Sequence, residues 1–178
     1  SKKISSQSSS KKISSQEKLM ITAQQVKELR DRTGISMMDC KDALGEANGD
    51  IEKAIEILRK KSIIKAEKKS ARATNEGAIV AGGRSSSYFL IEVNTETDFA
   101  ANDQEFKKFL TELKEFCESN KLNDLEDLQK NFNDKILEII QKIGENIKIS
   151  YFEKITSDSD NVYTYVHSDN KLASLVHL

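Results

Sequence analysis

Residues of the kinds that perform covalent chemistry are sparse and scattered in this sequence. Cys40 and Cys117 form no Cys-x-x-Cys pair, no His lies near Cys40, and two His are too few for a metal cluster. Gly82-Gly83 precedes a strand rather than a helix, so its amides would not converge on a phosphate. What stands out instead is an acid beside an aromatic, Asp98-Phe99, preceded by Thr97 on a strand-to-helix connection. Such connections concentrate binding residues, because a rigid scaffold holds them while their backbone need not close a ladder. On the residues alone two readings stay open. Phe99 either staples the start of the following helix, with Asp98 a solvated loop acid, or it is presented to a partner.

The elements around this turn are well marked. Tyr88-Phe89-Leu90-Ile91 reads as a buried strand running to Asn94. Gly77-Ala78-Ile79-Val80-Ala81 pairs with it as a hairpin through a loop, Gly82-Gly83-Arg84-Ser85-Ser86-Ser87. After the turn, Asn102-x-x-Glu105 caps an amphipathic helix carrying Phe106, Phe109, Leu110, Leu113 and Phe116. A polar connection, Glu118 to Asn133, leads to a helix through Ile136, Ile140 and Ile143, and Gly144 ends it as a left-handed cap. Ile147, Ile149 and Tyr151 then alternate as a strand. Val162 to Val166 and Leu172 to Val176 follow as strands about a turn, Ser168-Asp169-Asn170-Lys171. The expected class is α+β with antiparallel hairpins, not a doubly wound nucleotide fold.

Upstream, three short helices are predicted. Thr22-x-x-Gln25 is a capping box ahead of Ala23, Val26 and Leu29, with Gly34 as the stop. Ser36-x-x-Asp39 opens a second helix with Met37, Cys40, Ala43, Leu44 and Ala47 inward. Asn48-Gly49-Asp50 turns the chain into a third that presents Ile51, Ala54, Ile55 and Leu58. Cys40 reads as a small buried hydrophobe rather than a nucleophile. Arg59 to Arg72 carries seven basic residues against Glu67 and lacks the interleaved aromatics of an RNA surface. It reads as a solvated helical linker. The expected division is a tail over residues 1–19, a three-helix domain over 20–58, the linker over 59–76 and an α+β core over 77–178.

Composition narrows the function classes. Charged residues make up 32% and hydrophobic ones 37%, and no apolar run approaches the ~18 residues of a spanning helix. Of 28 basic and 29 acidic residues, five Lys and one Glu lie in residues 1–19, leaving 23 and 28 beyond, a net of −5 there. An acidic body argues against nucleic acid as the main partner. The tail repeats Ser1-Lys2-Lys3-Ile4-Ser5-Ser6-Gln7 as residues 10–16, a low-complexity tract without core-forming capacity. It is expected to be an appended tail or the remnant of a targeting segment, with Met20 as the candidate start. Isolated cysteines suit a reducing compartment.

Three stretches together resemble the translation elongation factor Ts family. Thr97-Asp98-Phe99 on a strand-helix joint is similar to its TDF motif. Arg32-Thr33-Gly34-Ile35-Ser36-Met37-Met38-Asp39-Cys40-Lys41-Asp42-Ala43-Leu44 resembles its N-terminal signature, and Lys142-Ile143-Gly144-Glu145-Asn146-Ile147 its core signature. They occur in the family's order between Thr22 and Leu178. The resemblance implies a guanine-nucleotide exchange factor for elongation factor Tu, acting in translation elongation without making or breaking covalent bonds. It implies that the three-helix domain is of the ubiquitin-associated type. Asp98 and Phe99 would reach the partner's G domain near its Mg²⁺ and phosphate loop, Phe99 as a wedge and Asp98 against the metal's network. Arg30 and Lys41 match docking positions of the N-terminal module, and Ile143, Gly144 and His167, the last within Tyr165-Val166-His167, match core contacts. No cofactor is implied on this chain, since GDP, GTP and Mg²⁺ belong to the partner. A heterodimer or heterotetramer with elongation factor Tu is implied, with a homodimer also open. The implied location is a bacterial-type cytoplasm, the mitochondrial matrix and plastid stroma being the alternatives.

Two family positions differ here. Thr95 stands where family members usually have Cys, and Ala100 where Val follows the motif Phe; both changes conserve size. The chain also stops at Leu178 within an apolar strand, which leads to the expectation of a shortened core. The alternative function is an adaptor that binds ubiquitin or another protein through the three-helix module. Against it, Thr33-Gly34-Ile35-Ser36-Met37 replaces the Met-Gly-Phe-type loop that ubiquitin binders often use.

Overall fold

The computed structural model describes residues 21–84, 86–157 and 161–178. The repeated tract of residues 1–19 and Met20 lie outside the described residues, as does Ser85. Eleven elements follow in order: α1 (Ala23–Thr33), α2 (Met37–Glu46), α3 (Ile51–Lys69), β1 (Glu76–Arg84), β2 (Ser87–Thr95), α4 (Asp98–Asn102), α5 (Gln104–Ser119), α6 (Leu125–Ile143), β3 (Ile147–Thr156), β4 (Val162–Val166) and β5 (Ala173–His177). The class is α+β, with helices beside antiparallel sheets.

The first three helices begin and end where the capping residues require. Thr22 and Gln25 form a complete capping box, and Ser36 and Asp50 accept the N3 amides of α2 and α3. Gly34 closes α1 at φ 68, a left-handed conformation that costs a residue with a Cβ ~1–2 kcal/mol. Val26, Leu29, Ile35, Cys40, Ala43, Leu44, Ala47, Ala54 and Leu58 form one buried cluster. Ala23 and Met37, expected inward, are exposed: Met37 lies in the first turn of α2, before that helix reaches the cluster. The basic segment is not a separate linker helix but the second half of α3, which continues unbroken to Lys69. Lys61 and Lys65 pair back to Glu46 and Asp39, while Arg59 pairs across to Asp134 on α6.

A second buried cluster lies between the sheet β1-β2-β3 and the helices α5 and α6. Val80, Ile91 and Val93 meet Phe106, Leu113, Leu128, Ile140 and Ile149 there. Phe132 packs edge to face on Phe109 and Phe116, at ring separations of 5.8 and 5.1 Å, each contact worth ~0.5–1.5 kcal/mol beyond area burial. Three expectations change. The glycines of the predicted β1-β2 loop belong to the strand: Gly83 pairs with Tyr88, and a Cβ there would stand 2.2 Å from the Tyr88 ring. The polar connection before α6 shrinks, because α5 runs to Ser119 and α6 starts at Leu125, burying Leu128 and Phe132. In β3 the register shifts opposite Glu92/Val93, so an extra residue reverses the alternation. Tyr151 therefore faces out and Phe152 packs on the core.

The hairpin β4-β5 forms a separate two-stranded sheet beside β1. Its turn is fastened by Ile79 N–H donating to the Asn170 carbonyl at 2.7 Å and by an ion pair between Lys171 and Glu76. Glu76 pairs with Thr95, and Thr95 with Ile147, so turn and motif share one end of the sheet. No helix among the described residues is long and apolar enough to cross a membrane.

Candidate functional site

Thr97 is the N-cap of α4, and its hydroxyl accepts the Ala100 amide at 3.3 Å. The cap expected at Asn102 is instead Asp103, which opens α5, because the turn after Thr97 is itself helical. Asn102 serves α4, donating from Nδ2 to the Asp98 carbonyl. Asp98 and Phe99 therefore occupy the first turn of a short helix that buries Ala100 and Ala101 and turns the other two outward. Phe99 is 84% exposed. A staple would be packed against the chain, so the staple reading of Phe99 fails. The Asp98 carboxylate has no hydrogen-bond or ion-pair partner among the described residues.

The turn is tied to two distant segments. Thr97 donates from its backbone N–H and from its hydroxyl to the two carboxylate oxygens of Glu145, at 3.0 and 2.7 Å. Glu96 accepts the Asn146 N–H at 2.6 Å and pairs with Arg72 at 3.3 Å. Asn146, itself buried, donates to the carbonyls of Arg72 and Ser70 beyond the end of α3. Thr95, with no exposed surface, donates its hydroxyl to the Thr97 carbonyl at 2.8 Å. Sequence reasoning quoted Glu145 and Asn146 without giving them a role. The available signal was a pair of polar residues lodged between a helix-ending glycine and an apolar strand.

Other predicted residues sort by place. Ile143 packs against the core cluster at the end of α6, and Gly144 follows, exposed, at φ 88. A Cβ on Gly144 would meet nothing within 4 Å. Its carbonyl accepts from Lys69 on α3. Gly34 approaches the side chain of Lys142 so closely that a Cβ there would stand 2.5 Å from Cε. The N-terminal signature thus meets the core signature directly. Burial alone would depress Lys142, but the carboxylates of Glu138 and Glu105, at 2.9 and 3.1 Å, raise it overall and keep it charged. Arg30 and Lys41 are exposed on α1 and α2 without an ion-pair partner among the described residues. Met37 and Met38 stand exposed on α2 before Lys41, and the sequence reading gave them no surface role. His167 is exposed at the end of β4, its Nδ1 2.8 Å from the Tyr165 hydroxyl.

No group of His, Cys, Asp and Glu that could hold a metal occurs among the described residues. Cys40 and Cys117 are both buried and free, far from the geometry of a thiolate nucleophile. The arrangement around Thr97 presents an apolar ring and a carboxylate, side by side and unpartnered among the described residues, on a turn tied to Glu145 and Asn146.

A family model described as Elongation factor TS matches residues 96–178. Among relatives, "Elongation factor Ts" of Clostridium acetobutylicum is 40% identical over 171 residues, covering 89% of this chain and 55% of the relative. "Elongation factor Ts" of Clostridium perfringens is 39% identical over 168 residues, and that of Nitratiruptor sp. is 44% identical over 168, each with the same coverage. The chain spans about half the length of the curated relatives it matches.

Proposed function

The chain belongs to the elongation factor Ts family, and from that premise we propose that it promotes release of GDP from elongation factor Tu during translation elongation. The observation that carries the reading is Phe99: a large apolar side chain left 84% exposed on an otherwise braced turn. Exposing a ring this way forfeits burial of ~1.5–3 kcal/mol, which a partner's pocket can return. A factor that binds nucleotide-free elongation factor Tu better than the GDP-bound form must weaken GDP by the same ratio. In this proposal Phe99 enters an apolar pocket beside the partner's Mg²⁺ and phosphate loop, and Asp98 disturbs the network that holds the metal. Aromatic anchors of this kind are worth ~2–4 kcal/mol in interfaces, enough to change a nucleotide off-rate by orders of magnitude.

The docking surface would be shared. Arg30 and Lys41 supply charges that steer and hold the partner. Met37 and Met38 add an adaptable apolar surface next to them. Ile143, Gly144 and His167 supply contacts from the core. Residues 20–58 as a ubiquitin-associated-like module and 77–178 as the exchange core fit the two separate buried clusters. The segment 59–76 between them is part helix α3, part extension. No bond is made or broken, and the nucleotide and metal are the partner's. The bacterial origin of the relatives favours a cytoplasmic setting, although the same reaction would suit the mitochondrial matrix or plastid stroma.

Stopped-flow release of fluorescent GDP from elongation factor Tu tests this. The full chain accelerates release, and Phe99→Ala reduces the acceleration at least about tenfold with an unchanged melting temperature. An unfolded Phe99→Ala, or one fully active, removes the reason for assigning exchange to this turn.

A further inference from the structure

Phe99 has no packing of its own to fix its direction, so its placement depends on the backbone of a five-residue helix. A helix that short has no stability in isolation. We propose that Glu145 is a positioning residue for nucleotide exchange: its carboxylate, bonded to both donors of Thr97, sets α4 in the orientation from which Phe99 and Asp98 meet the partner. This rests on the exchange reading of Phe99.

Two turns clasp each other reciprocally. Glu145 Oε2 accepts the Thr97 backbone N–H at 3.0 Å while Glu96 Oε1 accepts the Asn146 backbone N–H at 2.6 Å. Each of the dipeptides Glu96-Thr97 and Glu145-Asn146 thus uses its carboxylate to take the amide that follows the other's glutamate. Glu145 goes further, because Oε1 also accepts the Thr97 hydroxyl at 2.7 Å. That hydroxyl is at the same time the cap acceptor for Ala100 N–H, so drawing its proton toward an anion strengthens the cap. The Thr97 carbonyl takes the Thr95 hydroxyl and the Ala101 amide, which leaves no polar backbone group of Thr97 free to swing. On the opposite side the clasp cannot drift either. Gly144, left-handed at φ 88, turns the chain out of α6 toward α4, and the buried Asn146 amide is anchored on Arg72 and Ser70.

The carboxylate is specific to this task. Bonds to an ionised acceptor are roughly twice as strong as neutral ones, and only a carboxylate presents two acceptor oxygens to two donors. Glutamine has the same shape but replaces one oxygen with an NH₂ group, which would face a donor. Burial is not the purpose, since Glu145 is only half-buried and contributes nothing to the apolar clusters.

The test is Glu145→Gln in the full chain, alone and combined with Phe99→Ala, titrated against elongation factor Tu carrying fluorescent GDP. The single variant is expected to lower the maximal release rate about tenfold, leaving the half-saturating concentration and melting temperature close to those of the unmodified chain. In the Phe99→Ala background it should slow release less than it does alone, because part of its effect runs through Phe99 and only the part through Asp98 remains. Amide exchange at Thr97 and Ala100, and ring mobility of Phe99 by NMR, should both increase on the chain alone. Unchanged protection of Thr97 overturns the proposal, as does a Glu145→Gln slowdown that persists in full without Phe99. Absence of stimulated release by the unmodified chain overturns the exchange reading itself. That result is separable, because the loosening of Thr97 is measured without the partner.

Discussion

Cys40 and Cys117 are thiols with no base beside them, and burial decides their chemistry. Burial raises both, and Cys117, with Glu118 adding to the effect, is pushed up to about 12. The thiolate is the reactive form, so the folded chain should resist a thiol reagent at pH 8. Label should enter only as fast as the chain opens, and mass spectrometry after a timed pulse would read both sites. Fast labelling of folded Cys117 would show that its pocket in α5 is open. The sequence made Cys40 legible as a small buried residue, because it falls on the inward face of α2. Thr97-Asp98-Phe99 was legible too, since its three members are contiguous. Glu145 was not: its bonds to Thr97 join residues 48 positions apart, and no local pattern records such a contact. Thr95 shows the same limit. It reads as a size-conserving change, yet its hydroxyl makes a bond that fixes the motif's backbone.

At the scale of elements, glycines at positive φ divide into two kinds that a sequence does not distinguish. Gly144 sits at φ 88 with open space where a Cβ would project, so Gly144→Ala meets backbone strain alone, ~1–2 kcal/mol. Gly77 sits at φ 143, and a Cβ there would lie 2.1 Å from the Val93 carbonyl oxygen, against backbone rather than a yielding side chain. Gly77→Ala should therefore force β1 and β2 apart and lower the melting temperature well beyond Gly144→Ala. Equal melting temperatures in a thermal scan of the two variants would contradict this. Five helix ends were legible because caps are local: Thr22, Ser36, Asp50, Gly34 and Gly144 perform the roles their types suggest, whereas Asn102 does not cap α5 and α3 runs on to Lys69. The start of α6 was hidden, since Asn131, Asn133 and Asp134 break the apolar stripe on its outer face while Leu128 and Phe132 keep the inner one. The irregularity in β3 was hidden for another reason. It is a property of pairing with β2, and only that pairing shows Tyr151 turned outward.

Across the whole molecule, two buried clusters are joined by one continuous helix and a narrow set of polar contacts. Helix α3 contributes Ala54 and Leu58 to the first cluster, then runs along α6 through Arg59 with Asp134, Ser62 with Gln141, and Lys69 with the Gly144 carbonyl. The exposed Arg59–Asp134 pair is worth only ~0–1 kcal/mol, and the apolar link is the small side chain of Ala66 against the second cluster, so each cluster should keep most of its stability without the other. A cut after Leu58 would interrupt α3 and remove Lys61 and Lys65, which brace α2, so the division belongs after Lys69. Residues 21–69 should then fold alone, and residues 70–178 should retain the Ser70, Arg72, Glu96 and Glu145 bonds that hold the Phe99 turn. The larger fragment lacks Arg30, Lys41, Met37 and Met38. Its half-saturating concentration for elongation factor Tu should rise at least about tenfold, the scale of losing one good contact cluster. At saturation it should still accelerate GDP release, because the ring and the carboxylate remain in place. The smaller fragment should bind weakly and accelerate nothing. GDP release titrated separately against each fragment decides the matter. If residues 21–69 catalyse exchange by themselves, the work assigned to Asp98 and Phe99 belongs to the three-helix half instead.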